Sequence, residues 1–196
     1  MKKTLKISSI LFVLLITTGL FAQDKNHDNK LLGVRAGWQS SGIYEDGSLP
    51  EGWDPLNSFY AGFFKEIKLV PLLRFDAGIE YAPVGITDSD TDSKVVLHYL
   101  SIPLNLRVKL GPVYALGGAA ANFRVAEKYT IAGESYTPED DDKSNVFDVP
   151  LFLGLGVKFM FLSIDARYYW GMLDVYDNND ISNKSNYLQV GASLYF

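Results

Sequence analysis

The chain has 196 residues, of which 18 are basic and 23 acidic, with a formal net charge of −5 and no cysteine. This balance offers no basic surface that could neutralise nucleic-acid phosphates. Without cysteine there is no disulfide and no thiolate metal site, and the length suits a single domain.

The first 22 residues have the composition of a secretory signal peptide. Three lysines open the chain, an apolar run follows over residues 7–21, and the small Ala22 precedes a polar stretch. The run of about 15 residues is shorter than the roughly 20 that a membrane-spanning helix needs. We predict cleavage after Ala22 and a flexible lead-in over residues 23–30. Removing the leader leaves 15 of the 18 basic residues against 23 acidic ones, a net charge of −8.

Eight later segments alternate apolar and polar side chains. They cover residues 31–40, 58–66, 73–85, 96–110, 113–125, 146–159, 162–173 and 186–196. A strand directs alternate side chains to opposite faces, so each segment presents one apolar and one polar face. The alternation is clearest in the fourth segment and least regular in the second and fifth. Such alternation over about ten residues is typical of strands that cross an outer membrane.

The connections between these segments alternate in length. Residues 67–72, 111–112 and 160–161 form short connections, whereas the others are longer and hydrophilic. We therefore predict an all-β fold over residues 31–196, an eight-stranded antiparallel up-and-down transmembrane β-barrel with short periplasmic turns and longer extracellular loops.

A soluble, lipocalin-like barrel has the same alternation with its apolar face inside. The polar face here consists of Gly, Ser and Tyr with a few charges, which favours a crowded lumen over a surface in water. The opposite face of the clear strands carries no charge over its central span, as a bilayer requires. The composition of the two faces therefore favours the membrane barrel.

Several short motifs resemble the outer-membrane β-barrel family of Bacteroidetes that includes the PorT-like proteins. They are Phe-Ala-Gln at the end of the leader, YLSIPLNLR at residues 99–107, GLGVK at 154–158, IDARY at 164–168 and the terminal aromatic Phe196. The resemblance spans nearly the whole mature chain. It implies an eight-stranded barrel that the barrel-assembly machinery inserts after recognising the C-terminal strand, with Phe196 as the assembly signal.

Ten charged side chains fall on the polar faces and are predicted to point into the barrel. They are Arg35, Arg74, Asp76, Glu80, Arg107, Lys109, Asp148, Lys158, Asp165 and Arg167. The interior of eight strands is just wide enough for side chains to fill it, and isolated buried charges are costly. We expect opposite charges to pair into a rigid polar network. A narrow ion path lined by these residues is the alternative.

The predicted outer loops are acidic. Asp88, Asp90 and Asp92 have the spacing of a calcium loop, but Ser93 replaces the turn glycine and Tyr99 the bidentate glutamate, so an EF-hand is excluded. Weak binding of divalent cations, which could bridge lipopolysaccharide phosphates, is the remaining hypothesis.

Catalysis by a serine–histidine pair would need one of the two histidines, His27 and His98. His98 lies on the apolar face, whereas Ser101 lies on the polar face. Only Ser89 and Ser93, in the adjoining loop, could approach His98. We therefore expect no enzymatic activity, no cofactor and no metal.

We expect a protein of the cell outer membrane with a structural or interaction role, displaying acidic loops. Its expected partners are outer-membrane lipids, lipopolysaccharide and the assembly machinery. The alternatives are a small-solute or ion channel, an accessory role in protein export and, less favoured, a lipid-modifying enzyme. The sequence does not determine the oligomeric state.

Overall fold

Every regular element of the described residues is a β-strand. The computed structural model describes residues 30–136, 144–175 and 183–196. Its strands are β1 (Lys30–Glu45), β2 (Asp54–Val70), β3 (Leu73–Asp88), β4 (Ser93–Leu110), β5 (Val113–Ile131), β6 (Glu134–Tyr136), β7 (Phe147–Asp148), β8 (Leu151–Phe159), β9 (Leu162–Asp174) and β10 (Asn183–Tyr195). Within these residues, no helix is long and apolar enough to span a membrane.

Eight of the strands form a closed antiparallel ring. Its order is β1, β2, β3, β4, β5, β8, β9 and β10, and β10 pairs with β1 to complete it. The closing pair runs from Gly33 opposite Tyr195 to Glu45 opposite Asn183. The ring leaves neither terminal strand with an unpaired edge, which an open apolar sheet would expose.

Three two-residue turns, at residues 71–72, 111–112 and 160–161, lie at one end of the ring, which we call the turn rim. Leu72, Pro112 and Phe161 each accept a backbone hydrogen bond from a residue near the end of a neighbouring strand. Leu32 and Phe196 exchange two backbone hydrogen bonds, of 2.9 and 3.2 Å, which place the start of β1 and the end of β10 at this rim. The longer connections lie at the opposite end, the loop rim.

The strands differ from the predicted segments mainly at the loop rim, where several are longer. The predicted connection 67–72 is wrong in extent, because β2 continues to Val70 and only Pro71 and Leu72 remain as a turn. The predicted segment 146–159 is also wrong as a single strand. It divides into β7 and β8 around Pro150, which has no N–H group for a strand ladder.

The hairpin formed by the end of β5 and β6 was not among the predicted strands. Its turn residues Ala132 and Gly133 have φ angles of 49° and 82°. Two consecutive positive φ angles define the type I′ turn, which matches the twist of a two-residue hairpin. Alanine is an unusual residue at the first of these positions, so the residue types alone hardly indicate a turn here.

The polar and apolar faces of the ring are reversed relative to those of a water-soluble protein. Along β4, Asn105 and Arg107 are 2% and 0% exposed, whereas Leu104 and Leu106 on the other face are both 47% exposed. The charged face is therefore the inner one, and the outer surface is apolar. This excludes the lipocalin-like arrangement, which places apolar side chains inside.

Aromatic rings fill much of the interior beside small residues. Tyr169 stacks on Phe152 and on Tyr187, with ring centroids 4.5 and 4.3 Å apart. Gly156 lies against the Tyr114 ring, and a Cβ atom at this glycine would come within 2.5 Å of the tyrosine hydroxyl. Glycine at this position therefore provides the space that the Tyr114 side chain occupies.

A buried ion network inside the strand ring

Nine charged side chains on the inner face form one connected set of ion pairs, which we call the inner network. Its members are Arg35, Glu66, Arg74, Asp76, Glu80, Arg107, Lys158, Asp165 and Arg167. They come from six strands, because alternate residues of neighbouring strands share the inner face.

Glu66 lies opposite Asp76, in the part of the network near the turn rim. Its carboxylate oxygens lie 2.8 Å from Arg107 Nη1, 2.9 Å from Arg74 Nη1 and 3.3 Å from Lys158 Nζ. The Glu66 and Arg107 side chains are fully buried, while Arg74 retains 19% exposure. One carboxylate therefore serves three cations from three other strands.

Asp76 and Glu80 continue the network through the middle of the ring. Asp76 lies 3.2 Å from Arg107 Nη2 and 2.6 Å from Arg35 Nη2. The Arg35 guanidinium also lies 3.2 Å from Glu80 Oε1. Arg35 thus joins the two acidic residues of β3, and Asp76 joins Arg35 to the group around Glu66.

Arg167 extends the network to the opposite wall of the ring. Its Nη1 lies 3.4 Å from Glu80 and its Nε 2.7 Å from Asp165. The hydroxyl of Tyr114 donates a 2.8 Å hydrogen bond to the second Asp165 oxygen. Because each of the four carboxylates lies within ion-pair distance of at least one guanidinium group, none is buried as an isolated charge.

Aromatic rings cover the cationic groups. The Arg35 guanidinium lies 4.0 Å from the centroid of Phe64, and that of Arg107 lies 4.3 Å from Tyr114. The Lys158 ammonium lies 3.1 Å from the centroid of Tyr195. Contacts of this kind stabilise cations that have lost their water.

The structure brings eight of the ten predicted inward-facing residues into this network. Lys109 is half-buried near the turn rim. Asp148 is buried on the inner face but forms a separate group, in which it accepts hydrogen bonds from Ser185 Oγ at 3.0 Å and from the Leu173 N–H at 3.4 Å. Phe196, the predicted assembly signal, lies at the turn rim with 71% of its surface exposed.

Glu66 was not among the residues predicted to face inward. The inner face of β2 carries Tyr60, Gly62 and Phe64 before Glu66, so the usual contrast between apolar and polar faces is absent. An acidic side chain at the end of this irregular strand could have indicated that the position faces the lumen. Only the register with β3, which pairs Glu66 with Asp76, assigns it to the interior.

A second acidic group was also missed, because it lies in the part of β5 beyond the predicted strand end. Buried Glu127 pairs with Arg124 and accepts hydrogen bonds from the Tyr129 hydroxyl at 2.9 Å and the Ser144 hydroxyl at 3.1 Å. This group ties the loop end of β5 to the start of the segment that leads into β7.

The residues considered for metal binding form an ordinary turn. Asp88 accepts hydrogen bonds from the Asp90 and Thr91 N–H groups and, at 2.6 Å, from the Thr91 hydroxyl. The hydroxyl bond lowers the pKa of Asp88 below its usual value. The described part of the chain holds no group of three or more metal-ligating side chains.

The histidine considered for catalysis points away from the interior. His98 lies on the outer face, where its Nδ1 shares a 2.6 Å hydrogen bond with the Tyr81 hydroxyl. Ser93 is buried, and its hydroxyl donates to the Thr91 carbonyl. Ser101 is buried on the inner face. None of these hydrogen bonds joins His98 to a serine.

An antiparallel ring of eight strands with a charged interior and an apolar outer surface is the architecture of outer-membrane β-barrels. The chain belongs to the family described as outer membrane protein beta-barrel domain, which matches residues 21–177. It is therefore an outer-membrane protein.

Solved structures show the same fold. Ail, the attachment invasion locus protein of Yersinia pestis, crystallised with the heparin analogue sucrose octasulfate, is 16% identical with a TM-score of 0.51, over 86% of this chain and 99% of that one. Neisserial surface protein A is 14% identical with a TM-score of 0.53, over 84% of this chain and 97% of that one. No curated protein matches the sequence.

Proposed function

We propose that this protein is a non-enzymatic outer-membrane barrel whose interior is closed by the inner network, and which serves as a rigid support for acidic loops. The observation that carries the proposal is the full burial of Arg35, Arg107 and Arg167 within connected ion pairs. Three arginines with their carboxylates and aromatic neighbours fill the cross-section of an eight-stranded barrel, whose interior is just wide enough for side chains.

We further propose that the turn rim faces the periplasm and the loop rim faces outward. A leader over residues 1–22 that is cleaved after Ala22 delivers the chain to the periplasm, residues 23–30 form the lead-in, and Phe196 marks the last strand for the assembly machinery. Short turns inside and long loops outside are the usual arrangement of such barrels. The motifs at 99–107 and 164–168 support a place among the PorT-like proteins of Bacteroidetes.

The charge of the loops indicates the class of partner. Ail was crystallised with a polysulfated heparin analogue. Here the loops and the strand ends beside them carry Glu45, Asp46, Asp88, Asp90 and Asp92, among other acids, which would repel such a ligand. A cationic partner fits this surface better, because complementary charge steers association and excludes unlike partners.

Conductance measurements test the closed interior. The full-length protein purified from its membrane and inserted into a planar bilayer should show no steady openings, while a general porin in the same bilayer provides the positive control. Steady openings of the wild-type protein would instead assign it a channel function. In a second arm, replacing Arg107 with serine should open a leak, because this change removes a large, fully buried side chain from the lumen.

A further inference from the structure

A groove with a volume of about 660 Å³ crosses the outer face of the barrel from β9 and β10 to β4. Its floor is formed by the small side chains of Ala36, Ala61 and Ala192, and larger side chains such as Phe63 and Leu194 line it. The volume lies within the range of pockets that bind small molecules. The groove opens on the apolar surface that faces the membrane.

The groove runs diagonally across the thickness of the membrane. At one end Leu162 directly follows the turn at residues 160–161. At the other end Tyr81 is the ninth residue after Leu72. At about 3.3 Å per residue and a strand tilt of about 45°, nine residues rise roughly 21 Å above the turn rim, near the top of an apolar band about 25 Å tall. The groove is therefore long enough for an extended hydrocarbon chain.

The upper end of the groove adjoins polar and basic side chains. The Tyr81 ring stacks on His98 with centroids 5.9 Å apart, in addition to their hydrogen bond. His98 pairs with Ala126, and Lys128 lies two residues further along the same face of β5, which makes it a diagonal neighbour of His98. Lys94 and Lys128 are both exposed on the outer face of their strands.

His98 and Lys128 lie at the level of the lipid headgroups. His98 precedes the end of β4 at Leu110 by 12 residues, and Lys128 follows Val113 by 15 residues. With the same rise and tilt they stand roughly 28 and 35 Å above the turn rim, at and beyond the edge of the apolar band. By the same estimate Asp88, 16 residues after Leu72, stands roughly 37 Å above the turn rim, so the acidic turn at residues 88–92 begins just beyond Lys128.

We propose that this groove binds one molecule of lipid A, the phosphorylated glycolipid of the outward-facing leaflet, with an acyl chain in the groove and a phosphate at His98 and Lys128. The inference rests on the orientation given under Proposed function. Charge complementarity selects the occupant, since the Lys128 ammonium at the membrane boundary attracts an anionic headgroup. Lipid tails are as apolar as the groove, so the phosphate and the shape of the floor provide the selectivity.

Native mass spectrometry of the full-length protein in detergent tests this proposal, with purified lipid A and chemically dephosphorylated lipid A as the probes. We expect one bound lipid A per barrel. Ala61→Phe should lower its affinity about tenfold, because a chain that cannot enter the groove loses its packing contacts. The matched control is Ala115→Phe, which adds the same side chain to another outward-facing alanine and should leave the affinity unchanged.

A second pair of variants tests the contact between the protein and the lipid A phosphate. Lys128→Gln should weaken lipid A about fivefold, the effect expected of one basic residue near an anionic headgroup, and leave the dephosphorylated probe unchanged. Lys184→Gln, at the loop end of β10, should alter neither affinity. Equal binding of the two probes, or equal effects of the two phenylalanine variants, would overturn the proposal. A wild-type dimer that Ala61→Phe abolishes would assign the groove to a second copy of the chain.

A separate measurement distinguishes failure of the inference from failure of the proposed orientation. Because the chain has no cysteine, Ser48→Cys introduces a single thiol in the first loop. Labelling of intact cells with a membrane-impermeant maleimide confirms the outward orientation. Labelling without lipid A binding refutes the groove proposal alone, whereas a lack of labelling of correctly inserted protein refutes the orientation.

Discussion

Replacing Glu66 with glutamine removes the charge that three cations share while preserving the shape of the side chain. Two of the three cations keep part of their electrostatic stabilisation after this substitution. Arg107 keeps Asp76 at 3.2 Å, and Arg74, at 19% exposure, can be solvated at the turn rim. Breaking a fully buried ion pair costs about 3–5 kcal/mol, and we expect the lower end, about 3 kcal/mol, because of these remaining contacts.

The free energy of unfolding in lipid vesicles, measured by urea titration with tryptophan fluorescence and gel migration, provides the assay. A loss of about 3 kcal/mol corresponds to a change of roughly 150-fold in the folding equilibrium. Glu134→Gln, at an exposed position in the β6 hairpin, is the control and should change stability by no more than about 0.5 kcal/mol.

A double-mutant cycle tests the physical reason. In the Glu66→Gln background, Lys158→Met removes one of the cations that has lost its counter-charge, so the second substitution should cost less than it does alone. Groups in one ion-pair network usually couple by about 0.5–3 kcal/mol. Additive effects, or a loss of less than about 1 kcal/mol for Glu66→Gln alone, would show that Glu66 is not the shared counter-charge.

Two further predictions concern assembly and the loop rim. Val190→Asp places a charge on the lipid-facing side of the last strand, and deletion of Phe196 removes the terminal aromatic, so both should reduce the heat-modifiable folded band in gels; Val190→Leu should not. Normal migration of both variants would contradict the membrane assignment of β10. At the loop rim, Thr91→Val should raise the pKa of Asp88 towards its usual value in a carboxyl NMR titration, while Thr91→Ser should not. Because folding lowers this pKa, the stabilisation is complete above the pKa of the unfolded chain and is lost as the pH falls through the folded value; an unchanged pKa in Thr91→Val would contradict this account.

The period-two pattern of the sequence was sufficient for the fold because both faces of each strand are chemically constrained. A lipid-facing position excludes charge and a lumen position excludes large uncovered apolar surface. Eight segments could therefore be located, and six of them assigned clear inner and outer faces. The pattern did not predict the strand ends where one of these constraints is absent. At the loop rim the strands leave the bilayer, and their true ends, such as Ile131, lie beyond the alternating segments.

The sequence by itself determined that most charges of the inner network face inward, but the tertiary structure added Glu66 and decided which of the charges meet. Parity assigned Arg35, Arg107 and Arg167 to one face, since that depends only on the backbone repeat. Their partners depend on strand stagger and ring closure, which bring Glu66 of β2 within 3.3 Å of Lys158 of β8, 92 positions away. The outer groove has the same origin, because its alanines come from β1, β2 and β10 and become neighbours only when the last strand pairs with the first.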